Sequence, residues 1–133
     1  MIEVTNQTQT QTVQVKETNQ AQINQVKDFL VKQGLPLKAI VFNKTNRLVI
    51  YVPVKLVSTA SFGNGIATIT MRDRDDDDWE LIKLIMGKDG IIIRPLMTKS
   101  RHLETIMQCG LDVIELAYDG VYVKIIIELK QTH

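Results

Sequence analysis

Residues 110–130, GLDVIELAYDGVYVKIIIELK, constrain the fold more than any other stretch. Asp119-Gly120 is a dipeptide suited to positive φ, and the runs on either side are apolar and rich in β-branched residues, so the stretch reads as a β-hairpin. A two-residue turn predicts that Tyr118 faces Val121. Leu116/Val123 and Ile114/Ile125 then share the core face, with Glu115/Lys124 as an opposite-charge pair behind it. Val121, Val123, Ile125 and Ile127 form the expected core-facing row.

The rest of the chain predicts a mixture of helices and strands. Thr18 or Asn19 is placed to cap a helix whose stripe is Ile23, Val26, Phe29 and Leu30. Gly34 takes its C′ position and Pro36 forbids continuation. A second hairpin runs from Leu37 to Phe42 and Arg47 to Val54, with Phe42 opposite Arg47, and Pro53 marks the strand's end or a sheet edge. Residues 55–65 read as a loop, followed by a strand from Ile66 to Met71. Trp79 to Met86 is apolar nearly all round. Four preceding aspartates and the Asp77-x-x-Glu80 spacing favour a buried helix. Its alternative is a strand pairing with Gly90 to Leu96, which would set Lys83 against Arg94, a repulsive pair. Residues 91–94 are a strand either way. Thr98 or Ser100 is placed to cap a further helix over about 99–108, with Leu103, Ile106 and Met107 inward. The sum is an α+β fold: a mostly antiparallel sheet of five or six strands, with two or three helices packed mainly on one face.

A chain of 133 residues is long enough for one domain that buries about two thirds of its unfolded surface without a metal or disulfide. The division expected is a polar Gln/Thr-rich arm over 1–18 and a single domain over 19–133. The arm has little to bury and reads as flexible, although its Thr/Gln alternation ending in Val13 and Val15 also suits strand addition to a neighbour's sheet edge. A single cysteine, Cys109, fits a reducing compartment. With no basic-then-apolar start and no membrane-length apolar run, the expectation is a cytoplasmic protein that does not engage a membrane. The formal charge of +1 supplies no global field toward nucleic acid.

Candidate chemistry is sparse. In Asp73-Arg-Asp-Asp-Asp-Asp78, Asp73, Asp75 and Asp77 match the first three ligand positions of an EF-hand calcium loop. Asp78 stands where the sharp turn needs glycine and Leu84 where the bidentate glutamate belongs. Asp76, Asp77 and Asp78 are therefore the residues to consider for a divalent ion, against the simpler role of a solvated loop. His102 and Cys109, placed on one helix, lie about 10 Å apart, too far for a nucleophile–base pair. The glycine-bearing turns lack any phosphate-binding pattern, so no cofactor is implied. Lys88, Arg94, Lys99 and Arg101 are the candidate nucleic-acid contacts, without the paired aromatics of RNA-binding sheets.

Asp112 followed by Glu128-Leu-Lys130 resembles the PD-(D/E)xK nuclease superfamily, whose acid and E-x-K sit on neighbouring strands around a divalent metal. The resemblance implies Asp112 and Glu128 as metal ligands and Lys130 as the catalytic lysine. In the predicted register, however, Asp112 opposes Ile127 and Glu128 points to the other face, unless a bulge shifts the parity. The superfamily core also continues with a helix and a strand, where this sequence has Gln131, Thr132 and His133. The functional expectation is a non-enzymatic binding or assembly protein that forms homo-oligomers, with a nucleic-acid-binding module and a metal-dependent nuclease as alternatives.

Overall fold

The computed structural model describes residues 20–73, 79–97, 100 and 103–129. The arm over 1–18, the run Asp75 to Asp78, Lys99, Arg101, His102 and Lys130 lie outside the described residues. Helix α1 covers residues 20–32, and its stripe is the expected one: Ile23, Val26 and Leu30 are buried, with Phe29 packed beside them. It stops where glycine allows. Gly34 takes a φ of +69° and donates its N–H to the Val31 carbonyl, and Pro36 follows.

Two antiparallel sheets follow in place of one. The first holds four strands in the order β1 (Ala39–Phe42), β2 (Arg47–Pro53), β9 (Tyr122–Glu128) and β8 (Asp112–Tyr118). Within β1–β2 the register sits one residue from the expected one, with Phe42 opposite Leu48 instead of Arg47. Asn43 explains the shift. Its side-chain oxygen accepts from the N–H groups of Thr45 and Arg47, its own N–H donates to the Arg47 carbonyl, and Asn46 turns the chain at a φ of +64°. The loop is thereby tightened, and each β1 residue changes face relative to β2. Strand β2 lies inside the sheet and ends at Pro53 as expected.

The closing hairpin exists, but its turn is wider than two residues: Tyr118 opposes Val123. The Asp119 carboxylate accepts from the N–H groups of Val121 (2.9 Å) and Tyr122 (2.7 Å), and the Val54 N–H donates to the Val121 carbonyl. A shift of two residues keeps each side chain on its face. Val123, Ile125 and Ile127 are buried as expected, while Val121 is carried out to 61% exposure. A bulge between Val113 and Glu115 then moves the register by one, so Asp112 comes opposite Glu128, Leu116 takes the place expected for Ile114 opposite Ile125, and Val113 is buried instead of Ile114. The expected Glu115–Lys124 pair is absent. Lys124 Nζ lies 3.6 Å from Asp119 Oδ2 instead.

The second sheet runs β3 (Val57–Gly63), β4 (Ile66–Arg72), β5 (Leu81–Gly87), β6 (Gly90–Pro95) and β7 (Thr105–Met107). It corrects three expectations. Residues 57–63 are a strand, preceded by a short 3-10 helix (Val54–Leu56) and closed onto β4 by Asn64-Gly65 at φ +54° and +76°, the signature of a type I′ turn. Residues 81–87 are a strand, not a helix, and Lys83 does stand opposite Arg94. Burial outweighs that repulsion. Ile82, Leu84 and Met86 are fully buried, each worth about 1.5–3 kcal/mol, against a few tenths to about 1 kcal/mol for facing like charges. Glu104 reduces even this cost, its Oε2 lying 2.6 Å from Arg94 Nε. The third correction is β7 itself. Residues 105–107 pair with β6 where a helix over 99–108 was expected. Met107 packs toward the core, but Leu103 and Ile106 are 80% and 53% exposed. An apolar β6 with an open edge offers Thr105-Ile-Met107 ladder hydrogen bonds that an isolated turn of helix lacks.

Among the described residues α1 is the only α-helix, so the α+β expectation holds in composition of elements but not in their balance or in the number of sheets. The inner faces of both sheets and the buried stripe of α1 form one core. Strand β8 approaches β3, β4 and β5, while α1 lies beside β1 at the other side of the first sheet. No helix among the described residues is long and apolar enough to cross a membrane.

Candidate functional site

The bulge in β8 brings together two of the three residues that the nuclease resemblance named. Asp112 and Glu128 are direct partners across β8–β9, and Glu128 is in turn opposite Arg47 on β2. One row thus carries two carboxylates and a guanidinium, with Arg47 Nη2 3.8 Å from Glu128 Oε2. The arginine partly neutralises the charge that a cation would need. Among the described residues no group of three or more histidine, cysteine, aspartate or glutamate side chains is placed to hold a metal ion.

On either side of residues 74–78 the structure buries two carboxylates that no sequence pattern pairs, Asp73 and Glu80. Asp73 Oδ1 accepts the Glu80 N–H at 2.7 Å, the Asp73 N–H donates to the Glu80 carbonyl at 2.9 Å, and the Ser100 hydroxyl bonds the Glu80 carboxylate. These contacts clamp β4 to β5 at the point where the chain leaves for residues 74–78. Alternation is legible on the β4 side of the run alone, since residues 81–86 are apolar nearly all round. Cys109 is half-buried just after β7, and that burial pushes its thiol up from the ordinary value.

Of the four candidate basic residues, Lys88 and Arg94 are among the described ones, and these two lie apart. Lys88 lies in the β5–β6 turn and Arg94 near the far end of β6, about 15 Å along the strand. Two aromatics do meet: Tyr51 and Tyr122 pack edge to face with centroids 5.6 Å apart, and Lys124 Nζ stands 5.9 Å from the Tyr51 ring centre. They share the outer face of the first sheet with Arg47, but also with Asp112, Glu115 and Glu128. That balance is unfavourable for a phosphate backbone.

The outer face of the five-stranded sheet is different in kind. Registers align Ser61, Thr68, Ile85, Ile92 and Ile106 in a single row across all five strands. Ile66, also on this face, and Ile106 are exposed, while Ile85 and Ile92 are half-buried. Exposed Leu96, Met97 and Leu103 lie in the segment joining β6 to β7. Thr70, Lys83 and Arg94 form the adjacent polar row, with Glu104 against Arg94. At about 4.8 Å between strands and 3.3 Å per residue, the face covers roughly 475 Å² in plane before its corrugation is counted. This is somewhat over half of the ~800 Å² per partner of a standard protein interface. Comparison with known proteins finds no match: no protein-family model, curated protein or solved structure is significantly similar to the chain.

Proposed function

We propose that the chain is a non-enzymatic assembly protein that self-associates through the outer face of the β3–β7 sheet. The supporting observation is the isoleucine row of β5, β6 and β7, a contiguous apolar surface bordered by charge. A two-fold contact places Ile85, Ile92 and Ile106 against their own copies, and the polar row with Arg94 and Glu104 then forms its rim. The test is solution mass by light scattering. The full chain is expected at a multiple of 15.1 kDa, and the double substitution Ile92→Lys/Ile106→Lys at the monomer mass with an unchanged circular dichroism spectrum. A wild-type chain that stays monomeric at high concentration removes the proposal.

A second reading, metal-dependent nuclease chemistry, draws on the Asp112–Glu128 pairing across β8–β9. It ranks lower because Arg47 stands over Glu128. Magnesium- or manganese-dependent cleavage of DNA or RNA that disappears in Asp112→Asn would raise it, and cleavage that survives both Asp112→Asn and Glu128→Gln would eliminate it. Nucleic-acid binding through Lys88, Arg94, Lys99 and Arg101 requires affinity that falls steeply with salt.

A further inference from the structure

A groove runs between α1 and β1, on the first sheet and away from the proposed self-association face. It is a cavity of about 430 Å³ lined by Lys27, Leu30, Val31, Leu35, Leu37, Lys38, Ala39 and Ile40. Its floor is apolar, and Leu30 and Leu35 belong to the buried core. Lys27 and Lys38 are the charged side chains in the lining. Neither has an ion-pair partner among the described residues.

Strand β1 forms one wall, and it is an edge strand with β2 as its neighbour in the sheet. The direction of its free backbone groups follows from the register. The Asn43 N–H donates to the Arg47 carbonyl, which makes 43/47 a hydrogen-bonded pair. Antiparallel alternation then makes Val41/Val49 and Ala39/Tyr51 hydrogen-bonded pairs as well. Ile40 and Phe42 occupy the intervening positions. Their N–H and C=O groups therefore aim away from β2, at the open edge beside the groove.

An apolar trough, a row of outward backbone donors and acceptors at two-residue spacing, and unpaired lysines are complementary to one ligand form. We propose that this groove binds an extended peptide segment of a partner protein, in which apolar and acidic residues alternate, as an added strand on β1. Every second side chain enters the trough over Leu30, Leu35 and Ile40. The backbone pairs with Ile40 and Phe42, and carboxylates reach Lys27 and Lys38. A compact anion would use the lysines alone, and a lipid chain the trough alone. A strand uses all three features.

The probe is a fluorescein-labelled, end-blocked hexapeptide of alternating valine and glutamate, titrated into the full chain and followed by anisotropy. Binding is expected to weaken at least tenfold in Lys27→Glu/Lys38→Glu, and by a similar factor when alternate peptide nitrogens of the probe are methylated. Amide exchange at Ile40 and Phe42 is expected to slow on binding. Phe42→Pro provides a second variant that removes one outward N–H while leaving the 41/49 and 43/47 hydrogen bonds in place, and it too should weaken binding. Equal affinity for a valine–lysine hexapeptide, or unchanged exchange at Ile40 and Phe42 at saturation, overturns the proposal. So does binding that appears only after residues 1–18 are removed, since the chain's own arm is then the occupant. Solution mass is independent of all these readouts, so the self-association proposal stands or falls separately.

Discussion

Gly90 adopts a φ of +114°, and a Cβ built there would meet the Met107 carbonyl oxygen at 2.0 Å and the Cys109 nitrogen at 3.0 Å. Gly65, at +76°, has open space around it. The two glycines separate backbone strain from steric exclusion. Gly65→Ala is expected to cost about 1–2 kcal/mol, the penalty of a left-handed alanine. Gly90→Ala should exceed 3 kcal/mol, because the β6 and β7 backbones must also part. Urea unfolding of both variants decides this, and equal losses would mean that β7 does not lie against Gly90. The conformational need of Gly65 was legible in Asn64-Gly65, a strong local turn signal. That of Gly90 was not, because the atoms excluding a side chain come from residues 107–109.

At the scale of the element, the closing hairpin shows why a turn's existence is easier to read than its width. Asp119-Gly120 marks the place correctly, and Gly120 does take a positive φ. The loop is set by hydrogen bonds that the dipeptide alone does not reveal: two N–H groups on the Asp119 carboxylate and the Val54 contact to Val121. Those bonds from Tyr122 and Val121, aided by Lys124, hold the Asp119 carboxyl below its ordinary value of 3.8. A carboxylate with a depressed folded pKa stabilises the native state above its unfolded value, and that contribution disappears as pH falls through the folded value. Asp119→Ala should therefore lower the urea midpoint at pH 7, and the gap to wild type should close as pH falls below about 3.8. A gap that persists unchanged at pH 2 would mean that the ionised carboxylate is not what holds the turn. The same hairpin placed Asp112 opposite Glu128 through a bulge. The candidate pair was thus legible as residue types, while its alignment depended on one extra residue in β8.

For the whole molecule the decisive fact is that two sheets and α1 share one core, with Leu84 from one sheet and Ile125 from the other both in its buried interior. Leu84→Ala and Ile125→Ala are each expected to cost about 2–5 kcal/mol. Both should shift a single unfolding transition seen at the same urea concentration by far-ultraviolet circular dichroism and by Trp79 fluorescence. Two separated transitions would show that the sheets unfold independently. The sequence by itself determined the places of turning, α1 with its stripe, and the alternation in β4 and β9. These follow from local chemistry: glycine and asparagine at positive φ, proline's missing donor, and side chains whose period matches a buried face. Only the tertiary structure decided that residues 81–87 and 105–107 are strands, that the strands divide into two sheets, and that isoleucines line an outer face. Helix and strand preferences of such apolar runs differ by tenths of a kcal/mol per residue. Burying Ile82, Leu84 and Met86 between paired neighbours stabilises the fold by several, and that gain exists only once β4 and β6 are alongside.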